Sequence, residues 1–423
     1  MPVNICSLSS KLTARSAEYL ESDDLFSLRL ANRYLRDSSL CIFTRRYFQV
    51  RIHLATLRGL NCLLDISQHP LFGRALRVLV ISERGISDEF IDEEPAVAEH
   101  FAECDFIRES GLVAAYLTQV LRNAVDCRTI ALDNFSDRPW GKAALQREAG
   151  QRLMVTRYST NDHPRLRHHD SGAHVLRSIV VAMMTSGAPI ASVDLSQMSA
   201  KVAASNVFQL PKPSYCDSQL TKSRWFNTLT ALHVSLYIDV LSFSHVSGMT
   251  EFIRRLARLQ SLFLNFRYRG QPAVTRVRAR LAKLYQLSSN LHAPRLRTLK
   301  IERLNCLAEH LITIADAHRD TLKDITFDHV LIYVRSGESW RTLLTAVRDK
   351  LRIAKLRMDR CFVEYDGGAE RAILYHDGGG DSSYRVELAA NNNPEVLSRL
   401  INGLREEDPR KYSSDRDRLM SWK

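Results

Sequence analysis

Four histidines lie close together in the sequence and are the first candidates for a metal site: His163, His168, His169 and His174. A zinc site needs three or four ligands in a fixed geometry, supported by hydrogen bonds from neighbouring groups. The segment that holds these histidines is polar, is interrupted by a proline and contains no cysteine. This composition favours a solvated loop, and we predict no metal site.

The triple glycine Gly378–Gly380 and the acidic pairs Asp23–Asp24 and Glu93–Glu94 are further residues whose types can carry chemistry. A phosphate-binding loop needs a strand before it and a helix after it. Here a second alternating segment follows the glycines, which indicates a hairpin turn. The acidic pairs stand at a helix start and in a loop, where helix capping and solubility explain them. No hydrolase, zinc-protease or dinucleotide-binding motif occurs at a strand–helix junction, so we predict no enzymatic activity and no cofactor.

The eight cysteines are spread along the chain and form no Cys-x-x-Cys pair. Most of them fall in apolar segments, which predicts reduced, buried thiols in a cytosolic or nuclear protein. Their positions are Cys6, Cys41, Cys62, Cys104, Cys127, Cys216, Cys306 and Cys361.

The chain has 423 residues and a net charge of +12, with 45% hydrophobic and 25% charged residues. Its longest apolar runs, such as Ser178–Met184, are shorter than the roughly 20 residues of a membrane-spanning helix, and the N-terminus lacks the apolar core of a secretory signal. Basic and apolar residues alternate at helical spacing, which favours solvated helix faces over a nucleic-acid surface. The arginines that would form such a nucleic-acid surface are Arg254, Arg255, Arg276, Arg278 and Arg280.

Short segments with alternating leucines recur from residue 76 onward and predict strands. Amphipathic, helix-like segments lie between them. This alternation is typical of either a repeat solenoid or a wound α/β sheet, and the repeated leucine spacing favours the solenoid. The predicted strands begin near Leu76, Cys127, Ile190, Leu229, Leu259, Leu296, Leu322 and Ile353.

The spacing of these segments is irregular, which predicts two surface insertions at 83–105 and 136–172. Two alternating runs between Glu370 and Asn391 flank the glycines and predict a C-terminal β-hairpin. A short helix follows the hairpin. We therefore divide the chain into a helical block at 1–50, a repeat domain at 51–404 and a charged tail at 405–423.

The N-terminal block contains the dense stretch "EYLESDDLFSLRLANRYLRD", from Glu18 to Asp37. Ser22 is predicted to cap a helix whose first turn is acidic. Leu25 and Leu28 lie on one face of that helix. The block continues helically to Phe48, and Phe48–Leu54 then alternates like a strand.

This block resembles an F-box. The family pattern has a leucine–proline start, a first helix that closes on Tyr-Leu, an acidic "DL" step and a leucine-rich helix. Ser9, Lys11 and Ser16 depart from the pattern. The matching residues are Leu8, Leu12, Tyr19, Leu20, Asp24, Leu25, Leu28, Leu30, Asn32 and Arg33.

Two later segments resemble fungal F-box proteins that carry a divergent leucine-rich-repeat-like domain. One is Leu63–Ser82, which is similar to the segment that follows the F-box in that group. The other is Asp316–Phe362. Its matching residues are His318, Thr321, Leu322, Lys323, Trp340, Leu343, Leu344 and Leu351.

The resemblance implies an α/β protein in which a three-helix F-box-like block precedes an irregular leucine-rich-repeat-like solenoid with a C-terminal β-hairpin. It also implies the substrate-recognition subunit of an SCF-type ubiquitin ligase, found in the cytoplasm or nucleus. Such a subunit binds a Skp-type adaptor, and through it a cullin, while the solenoid binds a protein substrate. The adaptor-binding residues that it implies are Leu8, Leu12, Leu20, Leu25, Leu28 and Leu30.

Other functions remain open at this point. The block could be a helical cap that covers the first apolar end of the solenoid. The protein would then be an interaction scaffold whose degenerate F-box binds no adaptor. A basic nucleic-acid-binding protein is the third alternative, although no aromatic platform accompanies the arginines.

Overall fold

The computed structural model describes eleven stretches of the chain. They are 8–82, 106–107, 109–133, 171–197, 227–268, 274–333, 339–365, 369–376, 382–383, 385–389 and 394–407. Internal contacts divide the chain into two units, residues 1–190 and 191–423.

The first unit begins with four short helices between residues 8 and 50. They are α1 (Ser10–Ala17), α2 (Ser22–Ala31), α3 (Arg33–Ser38) and α4 (Leu40–Phe48). The sequence predicted three helices. The third helix is instead divided at Ser39, whose hydroxyl donates to the carbonyl oxygens of Leu35 at 2.7 Å and Arg36 at 3.2 Å. A serine that bonds to the preceding turn competes with the helical backbone and favours such a break.

Three parallel strands follow in the first unit, and each pairs with the next one in sequence. They are β1 (Val50–Leu54), β2 (Val78–Ser82) and β3 (Thr129–Asp133). The helices are α5 (Leu57–Gln68), α6 (Phe72–Ala75), α7 (Leu112–Asn123) and α8 (Ser171–Ser186). Helix α7 packs against both α5 and α8, so these three helices form one layer.

The second unit contains a longer sheet of the same kind. Six parallel strands pair in sequence order, and one antiparallel strand is added after them. The parallel strands are β4 (Ser192–Leu195), β5 (Ala231–Tyr237), β6 (Ser261–Arg267), β7 (Thr298–Glu302), β9 (Asp324–Asp328) and β11 (Lys355–Asp359), and the antiparallel strand is β15 (Arg385–Ala389).

The helices of the second unit also pack consecutively, each against the next. Strand positions that face them are buried, such as Leu299 and Ile301 in β7, while the alternating positions stay partly exposed except at Ser235 and Asn265. One side of this sheet is therefore the core, and the other side is not covered by these helices. The helices are α9 (Phe243–Arg255), α10 (Val274–Asn290), α11 (Ala308–Ala317), α12 (Trp340–Lys350) and α13 (Pro394–Gly403).

The second unit also contains a smaller sheet. It arises because the chain turns sharply after β7, β9 and β11, and the short strands that follow these turns pair with one another. Its strands are β8 (Asn305–Cys306), β10 (Leu331–Tyr333), β12 (Phe362–Tyr365), β13 (Ala369–His376), β14 (Ser382–Ser383) and β16 (Leu404–Glu407). Strands β8, β10 and β12 are parallel, and β13 pairs antiparallel with β12, β14 and β16.

Each of the three turns into this sheet has a left-handed residue at the same place. The φ angles are 59° at Arg303, 53° at His329 and 48° at Arg360. The turns are linked to one another, because the amide of Arg303 donates to the Asp328 carbonyl at 2.8 Å and the amide of His329 donates to the Asp359 carbonyl at 2.9 Å. Left-handed backbone is costly for residues with a Cβ atom, so these hydrogen bonds offset a local strain.

The sequence predictions of the elements agree well with the structure. The α/β class, the strand at residue 50 and the eight strands predicted after it are confirmed. Helix α2 begins at Ser22 itself, and its N-cap is Glu21, so Ser22 does not cap it by side chain. The short strands β8, β10 and β12 were not predicted.

The predicted insertions, hairpin and tail lie only partly within the described residues. The insertion at 83–105 lies outside the described residues, and so does the one at 136–172 except for its last two residues, which begin α8. The predicted hairpin exists where β13 pairs with β14, but β15 pairs with β11 instead of continuing it. Residues 405–407, expected in the tail, belong to β16, and 408–423 lie outside the described residues.

Within the described stretches, no helix combines the length and the apolar character needed to cross a bilayer.

Three histidines of the described residues are buried, His53, His310 and His318, and the first two have strongly lowered pKa values. His53 in β1 is 7% exposed, and burial, with repulsion from Arg51, lowers its pKa to about 4. His310 in α11 is 3% exposed, and burial lowers its pKa to about 4 as well. The Nδ1 atom of His310 accepts a hydrogen bond from the amide of Leu307 at 3.4 Å.

We predict that replacing His329 with glycine leaves the protein about 1 kcal/mol more stable than replacing it with alanine. Both variants lose the same side chain, so the difference reports only the left-handed backbone. Urea unfolding measures it. At His233, an extended position in β5, alanine should be the more stable variant. The explanation fails if glycine and alanine rank in the same order at both positions.

We also predict that acid destabilises the protein between about pH 6.5 and pH 4. The unfolded chain binds protons on His53 and His310 near their ordinary pKa of about 6.5, whereas the folded chain binds them only near 4, so the free energy of unfolding falls as the pH drops through this window. Urea unfolding at pH 7 and pH 5 should show a smaller loss for His310→Asn than for the unaltered chain. An equal loss in both proteins would contradict this origin of the pH dependence.

Candidate functional site

The N-terminal helical block, defined as α1–α4, has a small core of its own. The core residues are Ala17, Leu25 and Ile42, contributed by α1, α2 and α4. Four partly buried side chains surround them: Leu20, Leu28, Phe43 and Tyr47. The block is therefore a packed unit and not a loose leader.

Several large apolar side chains of the block point into solvent instead. Leu12 in α1 is 54% exposed, and Tyr19 after α1 is 80% exposed. Phe26 and Leu30 in α2 are 44% and 87% exposed. Residues four positions apart lie on one side of a helix, so Phe26 and Leu30 share a face of α2.

The aromatic rings of Phe43 and Tyr47 pack against Phe26 on this face of α2. The Phe26 ring lies 5.6 Å from the Phe43 ring and 4.9 Å from the Tyr47 ring, measured between centroids. The Arg29 guanidinium carbon sits 3.9 Å from the Phe43 ring centroid, and one of its amino groups donates to the Arg36 carbonyl at 2.8 Å. Burial is the main cause that lowers the pKa of Arg29. Phe26 was not predicted from the sequence, although its spacing from Leu30 on α2 could have indicated it.

The six leucines predicted to bind an adaptor occupy three different environments. Leu12 and Leu30 are exposed, and Leu8, Leu20 and Leu28 are partly buried. Leu25 is fully buried in the core of the block, so it supports the surface and does not form it. The large apolar side chains of the block that are exposed are Leu12, Tyr19, Phe26 and Leu30, and we name this set the apolar face.

The start of the block is held in place without the proline of the F-box pattern. Ser9 is the N-cap of α1, and its hydroxyl accepts a hydrogen bond from the Leu12 amide at 3.4 Å. The Tyr34 hydroxyl donates to the Leu8 carbonyl. Arg46 of α4 donates to the carbonyls of Leu20 at 2.6 Å and Glu18 at 3.0 Å. Serine and proline both favour the start of a helix. Ser9 can therefore start α1 where the F-box pattern has a proline.

A second candidate surface is the side of the second-unit sheet that faces away from its helices. Aligned residues on neighbouring strands form continuous rows there. One row pairs Asp194, His233, Phe263, Lys300 and Thr326 from β4 to β9. His233 and Phe263 meet edge to face at 5.1 Å, and the Lys300 ammonium lies 4.4 Å from the Phe263 ring centroid.

The charged side chains of this sheet concentrate towards the carboxyl ends of its strands. Glu302, Asp328 and Asp359 are the last residues of β7, β9 and β11, and register places them side by side. Asp328 lies at their centre: its carboxylate forms a hydrogen bond with Nδ1 of His329 at 2.6 Å and an ion pair with Arg360 at 3.4 Å. Although burial opposes it, the pKa of Asp328 is lowered, because His329, Arg360 and Lys300 stabilise its carboxylate.

The residues that carry the second resemblance are mostly structural. Trp340 is 1% exposed, and its indole nitrogen donates to the Phe362 carbonyl at 2.9 Å. His318 accepts a hydrogen bond from the Ala293 amide at 3.0 Å through Nε2 and pairs with the Ile314 carbonyl at 2.7 Å through Nδ1. Leu322, Leu343 and Leu344 are fully buried. These side chains therefore form the core and not a binding surface.

The histidine cluster and the triple glycine are the other candidates for chemistry. Among the described residues, no group of histidines, cysteines and carboxylates could hold a metal ion. His174 lies in α8, whereas His163, His168, His169 and Gly378–Gly380 lie outside the described residues.

The sequence predicted buried cysteines, but two of the described cysteines are exposed. Cys127, Cys306 and Cys361 are buried, and burial is the main cause that raises the pKa of each thiol. Cys41 and Cys62 are exposed, because they lie on the outer sides of α4 and α5. An apolar sequence context did not reveal which side of the helix each cysteine occupies.

Three of the arginines considered for nucleic-acid binding form ion pairs within the chain, two of them with the same carboxylate. Arg254 and Arg255 bind Glu251 at 2.7 and 2.8 Å, and Arg280 forms a buried ion pair with Asp239. Arg278 is exposed, and the side chain of Arg276 lies outside the described part. Charges that are already paired contribute little to phosphate binding.

A scan against protein-family models and a search of curated proteins found no match to this chain.

We predict that two leucines of α2, both expected at the surface, differ sharply in their effect on stability. Leu25→Ala should lower the free energy of unfolding of the block by about 2–5 kcal/mol, because it opens a cavity in a closed core. Leu30→Ala should change it by less than about 0.5 kcal/mol. Urea unfolding followed by circular dichroism measures both variants. Similar losses would mean that the apolar face is packed in solution.

Proposed function

We propose that this protein is the substrate-recognition subunit of an SCF-type ubiquitin ligase and that the apolar face binds a Skp-type adaptor. The observation that carries the proposal is the division of the α2 leucines. Leu25 closes the block's own core, while Leu30 remains 87% exposed. A partner that covers Leu30 supplies the packing that the chain itself does not.

The energetics of the block favour docking of a preformed surface. Leu25, Ala17 and Ile42 already stabilise the four helices, so the adaptor need not order them. Burial of a leucine or phenylalanine side chain contributes about 1.5–3 kcal/mol each. Phe26 and Leu30 are set on one helix face, and Phe43 and Tyr47 back the Phe26 ring. Exposed aromatic and aliphatic anchors of this kind are typical of protein-binding sites.

The F-box resemblance identifies the kind of partner. It rests on the leucines of α1 and α2 and on the Asp24–Leu25 step. The departures at Lys11 and Ser16 fall at exposed positions, where they alter the surface and leave the core of the block intact.

We interpret the sheets as parts of an irregular leucine-rich-repeat-like solenoid. Support comes from strand order: in the large sheet of each unit, every parallel strand pairs with the next strand of that sheet along the chain. Crossovers between parallel strands are right-handed, so this order places the helices on one side. The uncovered side of such a sheet is where solenoids bind partners. In this proposal the second unit holds the substrate.

The proposed role requires no catalytic residue in this chain. A ubiquitin ligase of this type joins ubiquitin to the substrate through an enzyme that the adaptor and cullin bring, in the cytoplasm or nucleus. The contribution of this protein is to hold both the adaptor and the substrate.

Co-purification tests the adaptor proposal. The full chain, co-expressed with a Skp-type adaptor, should retain it through affinity and size-exclusion steps. Leu30→Asp should reduce the retained adaptor at least about tenfold, because a carboxylate would be buried without a partner. Leu71→Asp provides the matched control. It makes the same change at an exposed leucine outside the block and should leave binding intact.

If the unaltered chain retains no adaptor at any salt concentration, the ligase proposal is wrong and the scaffold alternative takes its place. Equal loss in the Leu30 and Leu71 variants would show that binding does not use the apolar face. Circular dichroism of each variant establishes that the block is folded, so a loss of binding can be assigned to the surface.

A further inference from the structure

Most cations near the carboxyl ends of the second-unit strands have a carboxylate beside them. We define the carboxyl-edge cluster as the charged residues at this edge. Its members are Arg267, Lys300, Glu302, Arg303, Asp328, Arg357, Asp359 and Arg360. Lys300 lies 3.9 Å from Glu302 and from Asp328, Arg303 lies 3.7 Å from Glu302, and Arg357 and Arg360 lie 3.8 and 3.4 Å from Asp359.

Arg267 differs from the other members of the cluster. Its guanidinium donates to three neutral oxygens: the Tyr237 hydroxyl at 3.2 Å, the Ser196 carbonyl at 3.2 Å and the Gln197 side chain at 3.3 Å. No carboxylate among the described residues forms an ion pair with it. Its charge is therefore held in position without being neutralised.

The charge of the cluster as a whole is also unbalanced. It contains five cations and three carboxylates, a surplus of two positive charges. Burial is the main cause that lowers the pKa of the Arg303 guanidinium, while the Glu302 and Asp328 carboxylates raise it and repulsion from Arg267 and Arg360 lowers it. Arg303 therefore lies close enough to Arg267 and Arg360 to be repelled by both. Since arginine stays protonated, an anion from outside the chain would relieve the repulsion.

The position of Arg267 suits such an anion. Strand β6 ends at Arg267, on the side of the sheet that the helices leave uncovered, and the residue is partly exposed. Tyr237, aligned with it on β5, brings a hydroxyl to the same place. Guanidinium groups bind carboxylates and phosphates through paired hydrogen bonds.

We propose that the carboxyl-edge cluster binds an oxyanion carried by a peptide, and that Arg267 is the residue that contacts it. The oxyanion is the carboxylate of an acidic side chain or the phosphate of a phosphorylated one. This names a substrate class for the receptor role and to that extent rests on the proposed function. The carboxylates of the cluster limit binding to an anion that approaches at Arg267.

Peptide binding to the full chain, without adaptor, tests the proposal. The probes are three fluorescent peptides of equal length: hexaglutamate, a phosphoserine-containing serine–glycine peptide and hexaglutamine. Fluorescence anisotropy should show binding of at least one anionic peptide and none of hexaglutamine. The tighter of the two anionic peptides identifies the source of the oxyanion.

Arg267→Gln should weaken this binding at least about tenfold, as expected for loss of hydrogen bonds to a charged group. Arg267→Lys keeps the positive charge but lacks the planar guanidinium. Its peptide affinity should lie between those of the unaltered chain and the Arg267→Gln variant. The matched control is Arg295→Gln, which removes an exposed arginine just before β7, at the opposite ends of the strands. Its affinity should stay unchanged.

Three results would overturn the proposal. They are no binding of either anionic peptide, equal weakening by Arg267→Gln and Arg295→Gln, or weakening only in a variant whose thermal unfolding shows lost structure. The Leu30→Asp variant should bind the peptides like the unaltered chain. Failure of adaptor docking and failure of the oxyanion site are therefore separate outcomes.

Discussion

The structure depends on one constraint: the parallel strands of the large second-unit sheet bury one side almost completely, and the other side only at Ser235 and Asn265 among the described residues. Parallel sheets usually bury both. Here the positions that face the helices, such as Leu262, Leu299 and Ile325, are almost fully buried, while their neighbours along the strand remain partly exposed. The alternation keeps the core to one layer of helices and leaves the other side for polar rows. The candidate surfaces of this unit follow from that division.

The same separation of inside from outside operates in the helical block on a smaller scale. Leu25 and Leu30 are both leucines of one ten-residue helix, yet one packs on Ala17 and Ile42 and the other extends into solvent. A block of four short helices has room for very few core side chains. Leu12, Tyr19, Phe26 and Leu30 find no place in that core and stay exposed, where a second molecule could bury them.

Much of this fold could be predicted because its strands carry a local signal. Alternating leucines in segments such as Thr298–Glu302 indicate both the strand and its buried side. The short strands β8, β10 and β12 carry no such signal, because two to four residues cannot show a period. They form through pairing with distant residues, after turns at Arg303, His329 and Arg360 that lack the glycine expected at left-handed positions. The burial of Leu25 and the exposure of Leu30 could not be predicted either, because the packing of the helices decides which leucine faces the core. The carboxyl-edge cluster joins residues far apart in sequence, so only the strand register brings it together.

Strand β15 also limits how such a chain can evolve. It runs antiparallel to β11 and so ends the succession of parallel strands. A duplicated strand–helix segment added after β15 would meet an edge of the wrong direction and could not continue the existing pattern. A duplication between β6 and β11 would instead meet parallel neighbours on both sides. New repeats in this lineage should therefore arise inside the sheet, lengthening the surface between its ends while the terminal strand is retained.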